Sequence, residues 1–135
     1  MLFRSRPGGV VAACVWDHAG GRGPLSAFWQ AVCELDPGAD DESNLAGVRE
    51  GHLAELFAQA GLDAVQTTTL TVRVRQEGFE SWWETFMLGV GPAGAYLTSL
   101  PADRRDELRE LCRRQLPEGP FEVSATAWAA TAHPK

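Results

Sequence analysis

The stretch that most constrains this chain is Pro-Gly-Gly-Val-Val-Ala-Ala-Cys-Val at residues 7–15. Pro7-Gly8-Gly9 sets a turn, and across residues 10–15 no polar side chain marks a solvated face. A strand apolar on both faces is expected to lie parallel inside an α/β sheet, with a neighbour along each edge. Only nine residues precede it. Either the rest of the chain supplies both neighbours, or the sheet extends beyond this sequence.

The downstream pattern supplies few strands. Residues 17–24, Asp-His-Ala-Gly-Gly-Arg-Gly-Pro, read as a glycine-rich loop. Leu25, Phe28, Trp29, Val32 and Cys33 then fall at helical spacing, predicting a helix over about 25–35 that Asp36-Pro37-Gly38 stops. Beyond the polar connector Ala-Asp-Asp-Glu-Ser-Asn, a second helix is expected over about 50–60. It carries Leu53, Leu56, Phe57 and Ala60 on one side, and Gly61 follows as its left-handed terminator. Residues 65–75 read as a strand in which Leu70, Val72 and Val74 face inward and Thr71, Arg73 and Arg75 face water.

Phe79, Trp82, Trp83, Phe86 and Met87 follow the helical repeat closely, predicting a helix over 79–88. Gly-Val-Gly-Pro-Ala-Gly-Ala-Tyr is expected to be a loop with one short helical turn around Tyr96. A further helix then runs from Pro101 to about Gln115, with Leu108, Leu111 and Cys112 inward. Residues 121–131 form the last strand, with Phe121, Val123, Ala125, Ala127 and Ala129 on one side and Trp128 on the other. The last two strands are expected to pair antiparallel across their helical insertion. No internal repeat or low-complexity tract is present. The inventory resembles one side of a larger doubly wound sheet, in a single partial domain over residues 1–135.

Composition narrows the classes. A chain of 135 residues with 44% hydrophobic content supports one globular core. A formal charge of −6 argues against nucleic acid, which calls for a basic face. The arginines at 104, 105, 109, 113 and 114 are interleaved with Asp103, Asp106, Glu107 and Glu110, as on a solvated helix. Cys14, Cys33 and Cys112 have neither CxxC nor metal-ligand spacing, and are expected to be small buried packing groups in a reducing, cytoplasmic compartment. No apolar run approaches the roughly 20 residues of a membrane span, and Met-Leu-Phe-Arg-Ser-Arg-Pro-Gly-Gly lacks a signal-peptide core. Neither a membrane nor a metal is expected.

An ordered series of segments carries a family resemblance. Arg-Pro-Gly-Gly-Val-Val resembles the entry to the fifth strand of class I S-adenosylmethionine-dependent methyltransferases. The likeness continues through VWDHAGG, AFWQAVCELDP, LAELFAQAGLDAV, FESWWETFMLGVGPAGAYLTSLP, RRDELRELCRRQLP and ATAWAA, nearly the whole chain. Together these are similar to the C-terminal, substrate-side half of the small-molecule branch of that superfamily. The resemblance implies a Rossmann-like α/β sheet fragment: one parallel strand, then an antiparallel pair at 65–75 and 121–131. Residues 78–116 would be a lid-like helical insertion over a small-molecule acceptor. S-adenosylmethionine is the cofactor it implies for a complete enzyme.

The cofactor half is missing from the pattern. No GxGxG follows a strand, and no acidic residue stands where the family holds the cofactor ribose. No cofactor-binding residue is identified, and this chain alone is expected to bind none. The strands that flank residues 10–15 are expected upstream of Met1.

Methyl transfer needs alignment, water exclusion and sometimes a base. Trp16, Asp17 and His18 follow the first strand at its carboxyl end, where open α/β sheets bind ligands. Asp17 and His18 are either a base or substrate-bonding pair, or a loop-pinning carboxylate beside a solvated imidazole. Gly20, Gly21 and Gly23 lack the Lys-Ser/Thr of a phosphate cradle and suit a mobile connector. Phe28, Trp29, Trp82, Trp83, Phe86 and Tyr96, with Trp16, either line an acceptor pocket or pack a core. Trp82 and Trp83 project about 100° apart on a helix, so one can pack while the other faces ligand. Two functions stand: the substrate-side half of a methyltransferase, completed by an N-terminal half, or a non-enzymatic ligand-binding or self-associating module derived from a truncated one. Either is expected to behave poorly as a lone monomer.

Overall fold

The computed structural model describes residues 6–135. The first five positions of the segment read as lacking a signal-peptide core lie outside that range. The elements run β1 (Val11–Trp16), α1 (Ser26–Leu35), a 3₁₀ turn (Glu42–Asn44), α2 (His52–Gln59), β2 (Asp63–Gln76), α3 (Phe79–Met87), α4 (Gly91–Ser99), α5 (Ala102–Gln115) and β3 (Phe121–His133). This is an α/β chain with a three-stranded antiparallel sheet and five α-helices among the described residues. Among the described residues no helix is long and apolar enough to cross a membrane.

The turn ahead of β1 forms as its residues dictate. Gly9 N donates to the Arg6 carbonyl at 2.9 Å, and Gly8 takes φ +78°, the position that a Pro-Gly type II turn reserves for glycine. The stretch expected to be a loop with one short helical turn around Tyr96 is the longer, nine-residue helix α4. Pro92 costs it nothing, because an N–H in the first turn has no helical partner. Gly94 serves close packing: a Cβ there would stand 2.6 Å from the Gly89 carbonyl carbon.

The sheet order is β1-β3-β2. β1 pairs antiparallel with β3, with Val11 opposite Ala132 and Val15 opposite Trp128. Among the described residues β1 therefore has a ladder along one edge only, with an antiparallel neighbour, where a parallel strand with neighbours on either edge was expected. Nor is it buried on both faces. Val11, Ala13 and Val15 pack inward, whereas Ala12 and Cys14 are exposed. Apolar side chains on two faces record what the strand suits, and this chain covers one of them. Cys14 consequently lies in the open, contrary to the expectation of three buried thiols. Cys33 is half-buried and Cys112 buried.

β2 departs further. Leu70, Val72 and Val74 were expected inside, yet they are 51%, 47% and 52% exposed. The alternation of residue types is real, but β2 is the outer strand at the other end of the sheet, and neither of its faces is deeply buried.

The chain divides into two compact units. One comprises residues 6–23, 43–72 and 125–135. In its core Leu53 and Phe57 of α2 pack on Ala130 and Ala132 of β3, joined by Val11, Ala13, Val15 and Val65. Gly61 ends α2 in the left-handed conformation, at φ +75°.

The other unit comprises residues 24–42 and 73–124. Its core is built on α1, α3, α4 and α5, with Phe28, Val32, Leu97, Leu108 and Cys112 almost fully enclosed. Met87, expected on the inward face of α3, is 47% exposed because the helix ends there.

Candidate functional site

The chemistry expected after β1 is organised around Asp17. This residue is 2% exposed, and its backbone N–H donates to the Thr126 carbonyl at 2.9 Å, which anchors the loop to β3. Its carboxylate accepts from Gly20 N at 2.9 Å through Oδ1 and from Arg22 Nε at 2.5 Å through Oδ2. Arg22 N donates to the Asp17 carbonyl at 2.9 Å, and Thr126 N donates to the Arg22 carbonyl at 2.8 Å. The Arg22 guanidinium also lies over the Trp128 ring, 5.1 Å from its centroid. The glycine-rich segment, expected to be a mobile connector, is a loop pinned by a buried carboxylate paired with a half-exposed guanidinium.

Burial works to raise the Asp17 pKa. The Arg22 hydrogen bond, the Gly20 N–H and the nearby Trp128 indole outweigh it, and the carboxyl is held below its ordinary value. The Trp128 Nε1–H favours the ionised form by proximity only, for it has no hydrogen-bond partner among the described residues. A carboxylate so held is a weak base. His18 makes no hydrogen bond to it. Its backbone N–H donates to the Trp16 carbonyl at 2.9 Å, and its ring occupies the space beside Gly23, where a Cβ would meet Nδ1 at 2.7 Å. Of the two roles considered for Asp17, the geometry is that of the loop-pinning carboxylate. Trp16, opposite Ala127 at the end of β1, is half-buried.

Arg22 and Trp128 were not among the candidate residues. An arginine five positions after an aspartate, across a glycine run, was the available signal for the first. Trp128 carried none, since its approach depends on β1–β3 pairing.

The other aromatic candidates share one unit. Phe28 stacks on Phe86 at 4.4 Å between centroids, Trp82 meets Phe86 edge-on at 4.8 Å, and Phe79 stacks on Trp83 at 5.9 Å. Trp82 and Trp83 are both 4% exposed, so neither ring is left to face a ligand while the other packs. Trp29 donates its indole N–H to Glu42 Oε2 at 2.9 Å.

Tyr96 differs from the rest. Its hydroxyl donates to Asp36 Oδ2 at 3.2 Å at the wall of an open cavity of about 410 Å³, which Val32, Leu35, Leu100 and Arg104 also line. Burial, and then the Asp36 charge, raise the Tyr96 pKa. The cavity offers an apolar wall, an acceptor carboxylate and a guanidinium, which suits a small molecule with one polar end.

Among the described residues no group of His, Cys, Asp and Glu could hold a metal ion. Nor does the glycine run after β1 offer S-adenosylmethionine a cradle. The glycine run after a strand is closed internally, with the Gly20 amide already donating to Asp17 and the space at Gly23 filled by His18. No family model matches the chain, and no curated protein matches it.

Proposed function

We propose that this chain is the substrate-side half of an S-adenosylmethionine-dependent methyltransferase, inactive alone. Its sheet would be completed along the free edge of β1 by a cofactor-binding half. One observation carries the reading: β1 is apolar on both faces, yet has a ladder on one edge and a cover on one face. Its six residues, Val-Ala-Ala-Cys-Val-Trp, include no charge and no proline, the devices that normally protect an edge strand from other chains. β2 and β3 are sheet neighbours separated by α3, α4 and α5, in keeping with the antiparallel pair and helical insertion that the resemblance implies.

In this reading the acceptor is a small molecule, and the cavity beside Tyr96 and Asp36 is where its polar end would be held. The test has two parts. The nucleotide sequence upstream of Met1 should encode, in some frame, a strand, a GxGxG turn and an acidic residue about twenty positions on. Calorimetric titration with S-adenosylmethionine should then show binding when that segment is joined to this chain and none without it. Binding by the lone chain, or an upstream sequence without those features, overturns the proposal.

A second reading is a non-enzymatic ligand-binding or self-associating module descended from such an enzyme. The observation favouring it is Asp17: the carboxylate at the expected catalytic end of β1 is committed to Arg22 and Gly20.

A further inference from the structure

The opposite edge of the sheet carries a separate inference, which does not depend on the function proposed above. β2 is a single 14-residue strand whose outer edge has no ladder among the described residues. Three hydrogen bonds fix which of its backbone groups look outward. Asp17 N donates to the Thr126 carbonyl at 2.9 Å and Thr126 N to the Arg22 carbonyl at 2.8 Å, so the backbone groups of Thr126 point toward the β1 side. The Thr126 and Thr71 hydroxyls lie 2.9 Å apart, which puts both side chains on one sheet face. In an antiparallel ladder, facing residues that do not bond each other turn their N–H and C=O outward on both sides. Ala64, at φ +52°, interrupts the regular pleat near the start of β2, so it is Thr71 and the odd-numbered residues from Val65 onward that present their N–H and C=O to the free edge.

We propose that β2 pairs antiparallel with β2 of a second copy about a two-fold axis at Thr69. A two-fold axis normal to the sheet keeps each face on its own side, so residues can meet only partners of the same parity. The register centred on Thr69 pairs residues 65–73 of both copies in an unbroken ladder, ending at the kink at Ala64. It sets Thr67 opposite Thr71 twice, lets the two Leu70 side chains meet diagonally across the axis, and brings Asp63, just beyond the kink, to the end of the ladder beside Arg75 twice. Centring one residue later would put Asp63 against Glu77, and centring one earlier would carry Val74 and Arg75 past the partner's strand.

The charges await these partners. Arg75 has no ion pair among the described residues, and Asp63 has Lys135 at 3.7 Å in an exposed pair. The same pairing places a neighbour beside the half-exposed Leu70, Val72 and Val74.

Light scattering on the full chain is expected to give twice the chain mass at micromolar concentration. Arg75→Glu sets two carboxylates against each other at each end and should weaken the dimer about tenfold. The double variant Asp63→Arg/Arg75→Glu should restore it. In a Cys14→Ser background, Thr69→Cys should form an intermolecular disulfide under mild oxidation, since facing residues of such a pair lie about 5.5 Å apart. Amide exchange on the unaltered chain keeps the idea testable if a variant misfolds. From Val65 to Arg75, odd-numbered β2 amides should gain protection as concentration rises, while even-numbered ones are protected throughout. A monomer at every concentration, or a dimer that ignores Arg75→Glu and does not cross-link through position 69, overturns the proposal.

Discussion

Asp17 and Arg22 close the loop after β1 through Nε and Oδ2 at 2.5 Å, with the carboxylate side chain 3% and the guanidinium side chain 49% exposed. Because Arg22 is half in water, screening removes part of the ion-pair energy, and the buried carboxylate matters mainly through what it accepts. Asp17→Ala leaves the Gly20 N–H and the guanidinium without that acceptor and should cost about 2 kcal/mol, read as a shift in urea midpoint.

The same pair gives a pH dependence of definite sign. The Asp17 pKa is lower in the folded chain than in the unfolded one, where an aspartate titrates near ~3.9. Its stabilisation is full above that value and is lost as pH falls through the depressed native pKa. The urea midpoint of the parent should therefore exceed that of Asp17→Asn at pH ~6, and the gap should close as the medium is acidified below pH ~4.

Gly20 and Gly21 separate two reasons for glycine. A Cβ at Gly20 would stand 2.4 Å from Asp17 Oδ2, and that carboxylate is held too firmly to yield. At Gly21 nothing lies within 4 Å, but φ is +70°. Gly20→Ala should cost about 2 kcal/mol through the displaced ion pair, and Gly21→Ala about 1 kcal/mol through backbone strain alone. Only the first should also abolish the stability difference between the parent and Asp17→Asn at neutral pH, measured by the same unfolding series.

The three thiols should react in the order of their environments. Cys14 is exposed, whereas burial, and then Asp41, raise the Cys33 pKa. Burial pushes Cys112 to about 12. Iodoacetamide mapped by peptide mass spectrometry should label Cys14 first, Cys33 slowly, and Cys112 only on unfolding.

Tyr96 is the single tyrosine, so its titration can be followed by ultraviolet absorbance without interference. The phenol should ionise above the ordinary value near ~10, and Asp36→Asn should bring it down while leaving the burial contribution in place.

Helices were legible wherever apolar residues kept the 3.6 period. Phe79, Trp82, Trp83 and Phe86 define α3, and all four are in the core. α4 was hidden because Gly91, Pro92 and Gly94 resemble loop residues, although each is compatible with a helix in its place. The strands themselves were legible and their burial was not. Sequence alternation along β2 distinguishes its faces, but whether Leu70 is covered depends on what packs there, which no local pattern encodes. The same limit applied to the site. Asp17 stood out by position, whereas its partner Trp128 comes from the far end of the chain and is brought near by the β1–β3 register.

The central claim is that the outer edge of β1 is a ladder awaiting another polypeptide. Odd-numbered β1 residues bond toward β3, so the amides of Ala12 and Cys14 point to the open edge. Residue-resolved hydrogen exchange on the chain alone, and on the chain joined to the proposed cofactor-binding half, tests this most directly. Ala12 and Cys14 should exchange rapidly alone and become protected when joined, with Ala13 and Val15 slow in both. Protection of Ala12 and Cys14 in the lone chain, or rapid exchange in both forms, would contradict the account.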